Sequence, residues 1–372
     1  MLIEGNRALA TVRKVKEIKP IEGADAIELA IVDGWQCVVK KGEFKVDQLG
    51  VYFEIDSFLP VMEPFLFLDK GGAKRYMDAV PGLRLKTIKL RGALSQGLLM
   101  PVQEIIKHWS KFRMIYKHNT SAFEENVFTE GCDLTDLLSV RKWEAPIPVQ
   151  LQGQIFGAMP QFIRKTDQER CQNIKHLFDD YGYAEFELTE KLDGTSITVY
   201  CTDERMGVCG RNWEHTETDT NTPWKVIRSI KLLEAMKTVR ESSQGNLAVQ
   251  GELVGPGIQG NPLGLKANGF FCYDVWDIDK QRYMTPGERK IYITALRLCG
   301  SDIFEVPVIQ ETIRLNDVAS TMDALLLYAD GKSKLNPERD REGIVFKSYG
   351  LFKEQVFSFK AVSNKYLLGE KE

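Results

Sequence analysis

The chain has 372 residues, with 49 Lys and Arg against 52 Asp and Glu, a formal net charge of -3. At roughly 100–200 residues per domain this length predicts two units, and the near-balanced charge excludes a protein that binds polyanions over its whole surface. Any basic groove has to be local. Seven cysteines without C-x-x-C spacing make a poor disulfide framework and point to a reducing, cytoplasmic setting. Four histidines with no H-x-x-x-H pair argue against a histidine zinc site. No stretch approaches the roughly 18 apolar residues of a membrane span, and the N-terminus carries no secretory pattern, so no membrane partner is expected.

From Leu9 to about Pro101 the pattern is one of short strands. Ala10–Val15 and Glu28–Val32 alternate, Asp33-Gly34 turns, and Trp35–Lys40 and Leu49–Ile55 continue the series. Leu83–Arg91 alternates apolar with basic residues, which predicts a strand with one cationic face formed by Arg84, Lys86, Lys89 and Arg91, or else an ordinary solvated lysine face. A five-stranded OB-type barrel fits this length and charge, and its strand face is a nucleic-acid surface. Residues 104–150 have the look of a connector, with a helix-like stretch over Glu104–Phe112, a polar segment over Lys117–Glu125, and Pro146 and Pro148 in an extended tail. A second unit is expected from 151 to 372. It opens with a helix from Asp167 to Tyr181, continues with strands at 184–188, 196–201, 247–253, 270–278, 343–347 and 356–362, and has a long amphipathic helix over Trp224–Ser242. Strands and helices without regular alternation give an α+β class.

The chemistry centres on Glu190-Lys191-Leu192-Asp193-Gly194-Thr195, between two apolar strand-like runs. A lysine at a strand end can attack the α-phosphate of a nucleotide and form a phosphoramidate once its pKa is lowered, here by a metal or another nearby positive charge. Gly194 lets the backbone approach phosphate closely, and Asp193 offers oxygen to a hard cation. Four residues of common types arise by chance, however, and Asp-Gly alone is a turn signal. Weight comes from an ordered set of residues further along the chain. Arg211 offers a fixed guanidinium, Glu252 a strand-end carboxylate, Phe271 an aromatic surface for a purine within Phe270–Val275, Glu342 a second carboxylate, and Lys347 and Lys360 two strand amines. Facing carboxylates and lysines are costly unless a metal and an anion lie between them.

This ordered set resembles the covalent nucleotidyltransferases: DNA ligases, RNA ligases and mRNA capping enzymes. Residues 20–60, Lys165–Asn173, Asn221–Lys225 and Ser358–Val362 are similar to the ATP-dependent RNA ligases of the Naegleria and Deinococcus type, and the resemblance covers nearly the whole chain. It implies an OB-fold RNA-binding domain over 1–103, a connector over 104–150, and an adenylyltransferase domain over 151–372, the last an ATP-grasp-like arrangement of antiparallel sheets and helices. By the same resemblance Lys191 takes AMP from ATP, passes it to a 5′-phosphate RNA end, and a 3′-hydroxyl displaces it. Arg170 lies near the β/γ-phosphates, Arg211 near the ribose or RNA terminus, Glu252 on the ribose and Lys360 on the α-phosphate. Glu190, Phe271 and Lys347 complete the nucleotide contacts. Asp193 and Glu342 serve the metal, Mg2+ or Mn2+. Many relatives carry two lysines spaced K-x-K in the last element. Here Ser358 stands at the first position, so either Lys347 supplies that charge or Ser358 makes a weaker hydrogen bond. The expected partner is RNA, as a nicked duplex or as ends, bound by a monomer. A DNA ligase or GTP-using capping enzyme is the nearest alternative, although their OB domain usually follows the transferase domain. A non-catalytic RNA-binding scaffold would be expected to lose Lys191, Glu252, Glu342 or Lys360, and all four are present.

Overall fold

A computed structural model describes residues 7–116, 128–145, 153–166, 168–243 and 245–369. The chain divides into two units, one within residues 2–148 and one within residues 149–372. The predicted Lys117–Glu125 segment, Pro146, Pro148 and Asp167 lie outside the described residues. Among those described, all seven cysteines are free, and no helix is long and apolar enough to cross a membrane.

In the first unit Leu49–Phe53 runs antiparallel between Ala10–Lys14 and Leu98–Pro101, with Ala10 and Leu98 both opposite Phe53. A meander of Glu17–Pro20, Ile27–Val32 and Trp35–Lys40 lies beside the Thr87–Leu90/Ala93–Gln96 hairpin. The Ser95 and Gln96 side chains accept from the Val38 and Gln36 backbone N–H groups. Ser57–Pro60, Lys74–Met77 and Val80–Arg84 make a further sheet. Described parts of the 104–150 stretch are not a loose tether. Ile105 and Phe112, on two short helices, and Leu134 and Leu138, in a turn segment, are buried in the same core as Val12, Val51 and Phe53, since short helices are stabilised mainly by packing an apolar face.

The single strand expected over Leu83–Arg91 is not formed. Val80–Arg84 pairs with Ser57–Pro60, and Thr87–Leu90 pairs with Ala93–Gln96 in another sheet. The Leu85 side chain is buried beside Leu83 and its N–H donates to Ser57 O. Beyond this bend the faces exchange, so Ile88 and Leu90 are exposed while Lys89 is half-buried. Arg84 is held by Asp56 at 2.7 Å and lies over the Trp143 ring, and Arg91 sits in the hairpin turn at φ 51°. The four basic side chains therefore share no continuous strand face.

In the second unit two sheets stand over separate cores. The first runs in the order 155–158, 213–215, 206–209, 195–201, 247–254, 269–277 and 282–283. Helices Thr222–Ser229, Leu232–Ser243 and Pro286–Leu298 bury Trp224, Met236 and Ile293 against Val199, Val249 and Phe270. The second has Gly343–Phe352 between Gln355–Val362 and Glu185–Lys191, with Glu169–Arg170 and Val308–Arg314 outside them. Phe186, Phe346 and Phe359 pack at its centre.

Two predicted helices are corrected. The Trp224–Ser242 helix is broken, since Lys231 takes a left-handed φ of 52° and the Ile230 carbonyl is taken by Asp302 N–H and the Ser301 hydroxyl. The 167–181 helix gives way to a strand at Glu169–Arg170, a 3-10 turn at Cys171–Asn173 and a short helix over Leu177–Tyr181. Glu169–Arg170 pairs in parallel with Phe359–Lys360, and His176 at φ 55° stops any helix from running through.

Candidate active site

The six-residue motif is the crossover between the two sheets. Glu185–Lys191 ends the run in the second sheet, with Lys191 opposite Gly343, and Thr195–Cys201 begins in the first, with Ser196 opposite Glu252. Three residues make the passage. A Cβ on Gly194 would collide with the Leu253 carbonyl oxygen, and one on Gly343 with the Ala361 carbonyl oxygen, so glycine at both positions allows the backbones to meet.

A cleft of about 380 Å³ opens beside this crossover. Lys191, Asp193, Glu252, Glu342, Arg211 and Lys360 all line it. Lys191 Nζ donates to both Glu342 oxygens at 2.6 Å. Burial works to lower the Lys191 pKa, yet Glu342, Glu252 and Asp193 together hold it above its ordinary value. The lowered pKa expected for a nucleophile is thus not met in the protein alone, where carboxylates surround the amine. Burial pushes Glu252 up to about 8 against the pull of Lys191, with Glu342 and Asp193 adding to the push. Asp193 accepts from the Tyr366 hydroxyl at 2.7 Å.

The cleft is also lined by Tyr273, whose hydroxyl is shared with Ser196 Oγ at 2.7 Å and Thr166 Oγ1 at 3.0 Å. Leu192, Val306 and Val345 supply apolar lining. Glu190 is buried there. One oxygen accepts from Lys334 N–H at 2.7 Å, while the other has no hydrogen-bond partner among the described residues, and burial raises its pKa. Behind Tyr273, Lys347 is paired with Asp274 at 2.6 Å and also donates to the Tyr273 carbonyl. Its burial outweighs Asp274 and lowers its pKa. Arg289, only 1% exposed, reaches Glu187 at 2.5 Å and donates to the same carbonyl at 3.3 Å.

A family model described as RNA ligase matches residues 184–362, and one described as an OB-fold domain matches residues 9–102. Among solved structures, a Naegleria gruberi RNA ligase variant with AMP and Mn is 42% identical, covering 98% of this chain and 99% of that one, with a TM-score of 0.78. Another variant of that ligase, with ATP and Mn, is 42% identical over 97% and 99% at a TM-score of 0.78. The form with PPi is 43% identical over 97% and 98% at 0.77. No curated protein matches the chain. The chain belongs to the RNA ligase family.

It is an ATP-dependent RNA ligase with an N-terminal OB fold and a mixed α+β second domain. Of the ligase residues singled out in the sequence, Lys191, Glu190, Asp193, Arg211, Glu252 and Glu342 line one cleft, together with Lys347 and Lys360. Arg170 lies beside it, in register with Lys360 on the neighbouring strand. Phe271 does not line it. Its ring stacks on Phe304 at 5.6 Å, among Leu192, Val254 and Val306. Tyr273, on the same strand face two residues on, is the aromatic in the cleft, and period-2 alternation was the signal that could have pointed to it. Thr166 and Gln168 lie in the Lys165–Asn173 stretch that carried the resemblance but were given no role there, and Tyr366 belonged to no motif. Lys347 stands opposite Ser358 in register, but its ammonium is already committed to Asp274 and a carbonyl.

The donor set suits a hard divalent cation, since Asp193, Glu252 and Glu342 all offer oxygen to the same cleft. They form no closed cage. Among the described residues no three His, Cys, Asp or Glu side chains are placed as direct metal ligands.

Proposed function

We propose that this cleft carries out the three nucleotidyl transfers of RNA ligation, with Lys191 as the nucleophile that takes AMP from ATP. One observation carries the reading: a strand-end amine, three carboxylates, Lys360 and Arg211 converge on a cleft of nucleotide size. ATP and a divalent metal are the cofactors. Adenine stacks on Tyr273 against Leu192, Val306 and Val345, and the partnerless Glu190 oxygen accepts from its amino group. Lys360 and Arg211 face the phosphates and the RNA end, Glu252 the ribose, and Arg170 the outer phosphates. A metal that keeps most of its water fits carboxylates that do not close around it, so Asp193 and Glu342 hold it through water. Bound there, it neutralises charge on the transferred phosphate. Relief of the carboxylate field around Lys191 frees its amine to attack, because Glu342 then has another cation to face.

The division of labour follows the fold. The first unit holds RNA through local basic patches, and the second does the chemistry, acting as a monomer in a reducing cytoplasm, where seven free thiols are at home. RNA enters as a nicked duplex or as two ends. The chain incubated with labelled ATP and Mn2+ is expected to gain covalent AMP and then to seal 3′-hydroxyl and 5′-phosphate RNA ends. GTP, which presents a carbonyl where adenine has an amino group, should label it at least about tenfold less. Absence of any covalent label would overturn the assignment.

The first unit yields a separate test. With Arg84 tied to Asp56, replacing Arg84, Lys86, Lys89 and Arg91 together by alanine should weaken nicked-RNA binding mainly through the last three. The salt slope should fall by about 0.9 for each phosphate that is no longer neutralised. Unchanged binding at every salt concentration would remove this surface from the RNA path.

A further inference from the structure

The strand that carries Lys360 runs straight into a short helix, Asn364–Gly369, and the junction is fastened to the nucleophile site at two residues, Glu342 and Asp193. Ser363, 1% exposed, donates its N–H to the Glu342 carbonyl at 2.9 Å and its hydroxyl to Asp330 at 2.5 Å. The Ser363 oxygen in turn accepts the Tyr366 N–H at 2.9 Å. Lys365 reaches Asp340, two residues before Glu342, at 3.4 Å. The Tyr366 hydroxyl then crosses to Asp193 Oδ2 at 2.7 Å.

We propose that Tyr366 is a positioning residue for ligation: its hydroxyl fixes the Asp193 carboxylate while the same helix start holds the Glu342 backbone. The two carboxylates flanking Lys191 come from segments about 150 residues apart in sequence, one on the sheet crossover and one at the start of a strand. Pairing of Lys191 with Gly343 brings the two segments together, but Asp193 lies two residues beyond that pair, on the crossover, where no ladder partner directs its side chain. Ser363 and Tyr366, three residues apart at the head of one helix, give both a common support. With Oδ2 engaged by the phenol, rotation of the Asp193 carboxylate is restricted and its other oxygen has a defined direction. A hydrogen bond to an ionised acceptor is among the stronger neutral-donor bonds, so this restriction is substantial. Tyr366 itself is not among the residues lining the cleft, so it acts through Asp193 and not on the nucleotide.

The inference rests on the reading of Lys191 as nucleophile, and the experiment separates the two. Single-turnover transfer of labelled AMP from ATP is followed in the full chain and in Tyr366→Phe, which keeps the ring and removes the hydroxyl. The maximal rate is expected to fall about 3- to 10-fold, with the half-saturating ATP concentration and the melting temperature nearly unchanged. In an Asp193→Asn background, where the acceptor carries no charge, the same substitution should cost less than about twofold. An unaltered maximal rate, a matching loss of ATP affinity or melting temperature, or an equal loss in both backgrounds would overturn it. If the parent chain labels and Lys191→Ala does not, such a result removes the role of Tyr366 and leaves the nucleophile in place.

Discussion

Lys191→Ala is expected to take no label from ATP, a loss of at least about 10⁴-fold in covalent AMP formation, while the chain keeps its fold. The size follows from the chemistry: without the amine there is no phosphoramidate, and removing a covalent nucleophile leaves only the residual effect of binding and electrostatics. Neither of the other two cleft lysines can stand in. Lys347 is buried against Asp274 and the Tyr273 carbonyl, and Lys360 projects from another strand, opposite Val345. Sealing of an RNA end that already carries AMP bypasses the missing amine, so it should survive far better than sealing from ATP. Measuring both on one preparation distinguishes a lost nucleophile from a lost fold. Label retained by Lys191→Ala would place the reacting amine elsewhere.

Arg289→Met should be the most destabilising single change among those the structure singles out, by about 3–5 kcal/mol. Glu187 is fully buried and lies in the strand that ends at Lys191, and Arg289 on helix Pro286–Leu298 is its close partner. Burial alone would raise the Glu187 pKa, but Arg289, with Lys347 and Lys290 behind it, holds the carboxyl below the usual range. Removing the guanidinium leaves an ionised carboxylate in the interior facing only the amines. Thermal unfolding reads the loss, at roughly 2–4 °C per kcal/mol for a unit of this size. The double change Arg289→Met with Glu187→Leu is expected to recover much of it, since an apolar pair of similar volume often matches a buried ion pair. A melting temperature lowered equally by the single and the double change would mean that packing, not loss of the guanidinium from the buried Glu187 carboxylate, sets the cost.

Six strands of the second unit were legible because their apolar runs are long and flanked by clear turns, whereas the mostly exposed outer strand Val308–Arg314 was not read. All six are present, five within about three residues of their expected ends and the sixth, from Gly343, running on to Phe352. Elements whose form depends on partners far away in sequence were not. Glu169–Arg170 is a strand only because Phe359–Lys360 pairs with it, and the helix break at Lys231 depends on residues 301 and 302. Alternation over Leu83–Arg91 was genuine but ran through a bend at Leu85, where each half joins a different sheet. In the site, charged residues were legible in order along the chain, whereas the supports behind them were not. Tyr366, Glu187 and Arg289 belong to no motif and acquire meaning only through a 2.7 Å or 2.5 Å contact with a residue more than 100 positions away.

The three-residue passage from Lys191 to Thr195 has a consequence for how this chain can vary. Both ends are pinned by pairing, Lys191 to Gly343 and Thr195 to Leu253, so the passage has no slack to absorb a change of length. One inserted residue would shift a strand by a single position and turn its side chains to the opposite face. Either Lys191 would leave Glu342, or Ser196 would leave Tyr273. Loops elsewhere in the domain can lengthen at small cost, but here chain length itself is constrained, a ruler that keeps Lys191 against Glu342 and Ser196 against Tyr273 in phase.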